Sequence, residues 1–279
     1  MISESLKKYF IATVSSLAIF ALLLLYLFFR RGYIDLYIVN KVFAGSSLIV
    51  LALVLLIGSL GRFYNFFDPW LVYRKHLGII SFILALFHGI VSLFFLPGRF
   101  TLSYFLTNYV TFILGLLGLI LLGYLFFISF KVFTSKMDPK KWWAYQVWGG
   151  RVAGLLVFFH LVLMKYPGWI RWYQNGGNDE LVRPFMPPAS IIAAAFGFFV
   201  ILVRLFESMN QKLVKSITPI LFMGLIIFVG LSFYIGKSKT PVALPIKWET
   251  CIHLYGSRVL NNSTKCASID GRVVTKLEN

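Results

Sequence analysis

The chain has 279 residues, with 27 Lys and Arg against 10 Asp and Glu, a formal net charge of +17. Hydrophobic residues make up 59%, aromatic residues 18% and charged residues only 13%, and the mean hydropathy is +0.81; soluble domains run near 45–50% apolar and about 25% charged. A soluble enzyme and a disordered chain are thereby excluded. Because the Lys and Arg are scattered over nearly every loop, without a dense basic run, the charge reads as membrane flanks attracted to anionic lipid, with no nucleic-acid partner.

A membrane span needs about 20 mainly apolar residues. Seven stretches qualify, at 9–29, 38–60, 77–96, 107–131, 147–166, 189–206 and 218–236. They predict an all-α polytopic membrane helix bundle over residues 1–236, followed by a short tail, 237–279. The first span follows Lys7-Lys8 and precedes Arg30-Arg31 without a small-residue cleavage site. It reads as a retained helix and not as a signal peptide. In span four, Gly115, Gly118 and Gly123 read as small residues for close helix packing.

Orientation follows from Lys and Arg near the span ends. A cytoplasmic N-terminus places twelve of them inside and nine outside. This bias favours N-in and sets the tail outside an inner, cytoplasmic-type membrane. Both cysteines, Cys251 and Cys266, fall in the tail. Fourteen residues separate them, enough to close a disulfide loop in an oxidising compartment; a flexible tail is the alternative. Residues near Arg272-Val-Val-Thr-Lys suit a short strand. No CxxC or CxxCH occurs, which argues against iron–sulfur clusters and covalent c-type heme.

Ionisable groups within spans carry functional hypotheses by default. His88 lies in span three, His160 and Arg151 in span five, and no Asp or Glu lies well inside any span. Buried-carboxylate proton relays are therefore disfavoured. His88 is 11 residues past Leu77 and His160 is 13 past Val147. At about 1.5 Å per residue, both imidazoles lie roughly 16–20 Å from the inner edge, on helices running in the same direction. Such a pair suits a b-type heme, since bis-His ligation leaves no open iron site. Phe- and Leu-rich neighbours offer an apolar slot, and Gly89 leaves room for a flat macrocycle. The bland alternative is two isolated histidines bonded to a carbonyl or a Ser. His76 is 12 residues before His88 and so about 120° around the helix; it reads as an interfacial histidine or as a second heme ligand. Trp142, Trp143 and Trp148 could border a quinone or flavin, or form an aromatic belt.

The run Arg74-Lys-His-Leu-Gly-Ile, followed by Leu86-Phe-His88, resembles the R-x-x-L-G-(x)n-L-x-H signature of the ferric reductase-like transmembrane domain. That superfamily includes the YedZ/MsrQ membrane heme subunit of the bacterial periplasmic methionine sulfoxide reductase system, ferric reductases and NADPH oxidases. The resemblance covers about residues 40–206. It implies a six-helix heme core plus one added helix, in a bacterial cytoplasmic membrane. It implies one heme b, with His88 and His160 as iron ligands, and electron transfer across the membrane. It further implies Arg74 and Arg151 near propionates or anionic lipid. Relatives with two hemes carry a further histidine about 13 residues before the span-five ligand, where this chain has Val147; His76 is out of register for the span-three equivalent.

No G-x-G-x-x-G lies in a strand–helix context. Electrons would therefore come from quinol, or from a separate flavin (FMN) or NAD(P)H-binding reductase partner. They would pass to a metal ion, oxygen or a periplasmic reductase. Two other readings stand beside this oxidoreductase: a non-redox small transporter or membrane scaffold with structural histidines, in which the long outer loop around Trp169–Pro188 serves binding, and a membrane acyltransferase or protease. The last lacks a nucleophile–base–acid set and a HExxH site.

Overall fold

A computed structural model describes residues 4–176, 181–239, 265–267 and 273–275. The chain forms α1 (Glu4–Arg31), α2 (Leu36–Phe63), a 3-10 segment (Asn65–Tyr73), α3 (Arg74–Ile90) closed by a π turn (Val91–Phe95), α4 (Leu102–Thr107), α5 (Tyr109–Phe127), α6 (Lys131–Thr134), α7 (Pro139–Asn175), α8 (Ala189–Met209) and α9 (Gln211–Lys239). Seven helical stretches among the described residues are long and apolar enough to cross a membrane. The chain is an all-α, integral membrane helix bundle. In the tail, β1 (Lys265–Ala267) pairs antiparallel with β2 (Val273–Thr275), with Lys265 opposite Thr275, which includes the expected Val-Val-Thr strand. Cys251 lies outside the described residues, and the Cys251–Cys266 pairing with it.

Helix ends follow local chemistry. Gly32 takes φ 83° between α1 and α2, a conformation that glycine adopts without strain. Asp35 caps α2, accepting from the Ile38 N–H at 2.6 Å, which satisfies one orphan donor of the first turn. Asp138 caps α7 by accepting from the Lys141 N–H, with Pro139 in the first turn. This cap-plus-proline start explains why α7 begins eight residues before the expected 147. The extra turns are interfacial in composition and carry Trp142 and Trp143.

Helix α2 is the central column, packed against α1, α3, α7 and α8. Its most apolar window is 61% buried, whereas no other described span exceeds 39%. Small residues allow this. A Cβ on Gly58 would lie 2.7 Å from atoms of both Arg74 and Arg204, so the two guanidiniums sit directly on the α2 backbone. Ser47 Oγ donates to the Ser81 carbonyl at 2.9 Å and Ser81 Oγ to the Ser47 carbonyl at 3.0 Å. This reciprocal pair joins α2 to α3; each such interhelical bond contributes about 0.6 kcal/mol in lipid. Leu51 of α2, Leu122 of α5 and Ala153 of α7 form one buried cluster at the same crossing.

The helices alternate in direction, so the bundle has two ends. The α1 start, the α2 end and the α8 end share one; it is called here the basal end. The apical end holds the α1 end and the segment 181–188. Tyr26 Oη donates to the Pro187 carbonyl at 2.6 Å, Arg30 Nε to the Met186 carbonyl at 2.9 Å and Trp172 Nε1 to the Pro184 carbonyl at 3.2 Å. The described part of the long outer loop is therefore tied down onto α1 and α7.

Candidate functional site

His88 and His160 line one cavity of about 370 Å3 in the apical half, between α2, α3, α5 and α7. That volume falls within the range of small-molecule and cofactor sites. The two rings are held in the same manner from opposite walls. His160 Nδ1 is 2.7 Å from the Thr111 carbonyl. A carbonyl can only accept, so Nδ1 carries a proton, and in the neutral ring Nε2 then keeps its lone pair. His88 Nδ1 donates in turn to Asn40 Oδ1 at 2.9 Å, and Asn40 Nδ2 donates to Ser92 Oγ at 2.9 Å. Asn40 is almost fully buried. When neutral, both imidazoles thus have Nε2 available to ligate a metal.

Two glycines shape the slot. A Cβ on Gly115 would lie 2.7 Å from His160 Nδ1 and 2.8 Å from its Cε1, so the ring rests on the bare backbone of α5. Gly89 lines the cavity beside His88, as Leu93, Phe105, Phe112, Leu116 and Leu119 do. At the mouth stand Arg30, Arg31, Lys41 and Lys165, with no carboxylate among the lining residues. Lys41 Nζ lies 3.8 Å from the Tyr37 ring centroid, and the Arg99 guanidinium 4.2 Å from the same ring, both in cation–π range. Burial and the nearby Tyr37 phenol hold the Tyr104 hydroxyl above the usual tyrosine range, so this lining residue stays a neutral O–H.

The residues present fit a bis-His heme. Two neutral imidazoles with free Nε2 atoms face one apolar slot, and unbalanced cations rim it where a macrocycle's carboxylates need partners. No cluster of three or more His, Cys, Asp or Glu occurs among the described residues. A bare metal ion therefore has no evident protein cage there, whereas a porphyrin brings its own four nitrogens and asks the protein for two ligands.

The other expected site residues stand elsewhere. His76 is buried against α1, its ring edge-on to Tyr9 at 4.3 Å and its Nδ1 3.2 Å from the Val72 carbonyl. Arg74 Nε donates to the Val54 carbonyl at 3.2 Å. Neither residue lines the histidine cavity. Arg151 belongs to a basal cluster centred on Glu207, a buried carboxylate at the end of α8. Glu207 accepts from Ser59 Oγ at 2.7 Å, Arg62 at 2.7 Å and Arg204 at 2.8 Å, and Arg151 lies 3.9 Å away. Arg204 also donates to the Leu55 carbonyl. The Arg151 guanidinium lies 4.8 Å from the Trp148 ring.

Beside this cluster lies a second cavity of about 330 Å3, walled by Leu51, Leu55, Phe158 and Val200 and rimmed by Trp148, Arg151, Arg204 and Ser208. Leu48 lines both cavities, so a single side chain of α2 borders the two. Trp148 is part of this rim; Trp142 instead donates from Nε1 to the Ile128 carbonyl at 2.8 Å, a packing role. Sequence reasoning passed over Asn40, Gly115 and Glu207. Their only signals were one amide at the head of span two, one glycine read as a packing residue, and one acid just past the end of span six.

No protein-family model matches the chain. It is similar to the proteins named metalloreductase STEAP2 from Mus musculus and from Homo sapiens, at 27% identity in each case. The matches cover 63% and 59% of this chain. They span only 42% and 39% of the relatives, so the chain covers about two fifths of their length. The similarity is thus to proteins named as metalloreductases, and it agrees with the ferric reductase-like pattern carried by Arg74, Leu77, Gly78 and His88.

Proposed function

We propose that this chain is an oxidoreductase component that carries electrons across a membrane on a single b-type heme. The observation that supports this most is the matched pair His88 and His160: both rings have Nδ1 tied to an acceptor, and both line one apolar cavity. The named metalloreductases to which the chain is similar add to it. When bound, the heme supplies a one-electron Fe(III)/Fe(II) couple.

The protein's part is to bind, orient and exclude water. His88 and His160 would hold the heme iron, and the bonds at their Nδ1 atoms keep both rings oriented. Lys41, Lys165 and Arg31 would neutralise the propionates at the apical mouth. A heme held by both histidines would supply outer-sphere electron transfer and no substrate binding at iron. An acceptor such as a metal ion, oxygen or an extracytoplasmic reductase would meet this apical end.

The basal cavity suits the donor side. Its walls are apolar, and Arg151, Arg204 and Ser208 offer hydrogen-bond donors at its rim, so a quinol in the bilayer could enter it. A separate flavin- or NAD(P)H-binding reductase at the basal end is the other donor. We infer from the Lys and Arg count that the basal end is cytoplasmic; the bacterial cytoplasmic membrane rests on the resemblance alone.

The test is heme content. His88→Ala and His160→Ala should each lose the heme while the chain still folds and inserts. A full heme complement in both variants would sink the assignment.

A further inference from the structure

The two histidines differ in one respect. His160 leans on a backbone carbonyl, which no side-chain replacement removes. His88 leans on the side chain of Asn40, which belongs to a different helix. Asn40 is 1% exposed and sits in the first turns of α2, between Val39 and Lys41. An uncharged amide buried in a membrane bundle is costly unless it is bonded, and such residues tend to serve a site. Both ends of this amide are engaged. Its oxygen accepts from His88 and its nitrogen donates to Ser92.

The backbone arranges the second contact. Immediately after His88, α3 widens into the π turn Val91–Phe95, and the Val91 N–H reaches back to the carbonyls of both His88 and Phe87. Ser92 lies within that turn. Single π turns inside α-helices often mark functional sites. Asn40, Ser92 and His88 therefore form one chain of hydrogen bonds that ends at the imidazole.

Resting on the heme reading above, we propose that Asn40 is the positioning residue for His88, fixing its tautomer and ring angle and, with Ser92, setting the reduction potential of the heme site. The physical reason is donor strength. A stronger acceptor at Nδ1–H makes the imidazole more electron-rich at Nε2, and an electron-rich ligand favours ferric over ferrous iron. A weaker acceptor does the opposite. Asn40→Asp keeps the volume and supplies a stronger acceptor. Asn40→Leu keeps the volume approximately and supplies none. Ser92→Ala leaves the amide in place but frees its nitrogen.

The experiment is spectroelectrochemical titration of the purified full chain and the three variants, with low-spin EPR of the oxidised proteins and a thermal melt of each. Asn40→Asp should shift the midpoint potential downward and Asn40→Leu upward. A tenfold change in the ferric-to-ferrous preference reads as about 59 mV for one electron, and each Asn40 variant should move by about that amount. Ser92→Ala should shift the potential less than either. The EPR g values should change in both Asn40 variants, since the ring is free to rotate or its field is altered. If Asn40→Leu no longer binds heme, Asn40→Asp and Ser92→Ala carry the test alone. Variants that bind heme with unchanged potential and g values, and differ only in melting temperature, would overturn the proposal and leave Asn40 a packing amide. An unaltered chain that binds no heme would instead overturn the reading on which it rests.

Discussion

Gly115 tests the shape of the histidine cavity more sharply than the histidines do, because it touches His160 without being a proposed ligand itself. In Gly115→Ala the new methyl would lie 2.7 Å from His160 Nδ1 and 2.8 Å from Cε1. Ordinary contact begins near 3.4 Å, so the ring must move by about 0.7 Å. The same ring nitrogen is held by the Thr111 carbonyl of the same helix, α5, at 2.7 Å. A shift of that size takes this bond to the edge of hydrogen-bonding range. The lost bond alone accounts for about 0.5–1.5 kcal/mol, and ligands whose outer support is disturbed typically lose about 10–100-fold in metal affinity. Heme titration into the apo-chain should show a fall of that order, with a changed low-spin spectrum. Two variants serve as controls. Gly118→Ala would meet Val157 Cγ2 at 3.0 Å and no histidine, and Gly224→Ala would enter open space. Alanine in place of glycine gains up to about 1 kcal/mol of helix propensity, so weaker heme binding in Gly115→Ala would not reflect a weaker helix. Gly115→Ala with the affinity and spectrum of the unaltered chain would refute the argument.

Two further outcomes are expected. Glu207→Gln removes the one carboxylate shared by Arg62, Arg151 and Arg204; breaking a buried ion-pair set in this way costs about 3–5 kcal/mol. The melting temperature of the detergent-solubilised protein should fall clearly, while heme per folded chain stays the same; an unchanged melting temperature would show that the cluster is well solvated. With the basal end cytoplasmic, an impermeant thiol reagent applied to intact cells after reduction should label Cys251 and Cys266. Labelling only after lysis would reverse the orientation.

The bundle was legible because a membrane span announces itself by apolar length alone, without periodicity. All seven expected spans overlap the helical ones, and the differences lie at ends where polar caps extend a helix, as Asp138 and Pro139 do for α7. The histidines were legible because ionisable groups are scarce in apolar stretches. Their support was not. Asn40 is uncharged and close to a span end, so it resembles any interfacial polar residue until α2 and α3 are packed together. Gly115 repeats the small-residue spacing of Gly118 and Gly123, and only the structure separates a glycine beneath His160 from glycines beneath Val157 and Phe82. Arg74 sits in the family-like motif, yet it reaches the α2 backbone near Val54 instead of the histidine cavity. A motif fixes residue order along the chain, whereas the neighbour a long side chain meets depends on helix packing.

His88 and His160 together are proposed to hold one heme. A dithionite-reduced minus oxidised spectrum of the purified full chain, with a pyridine hemochrome count, tests it directly. A b-type spectrum at one heme per chain is expected. A colourless protein from heme-replete cells, or two hemes per chain, would contradict it.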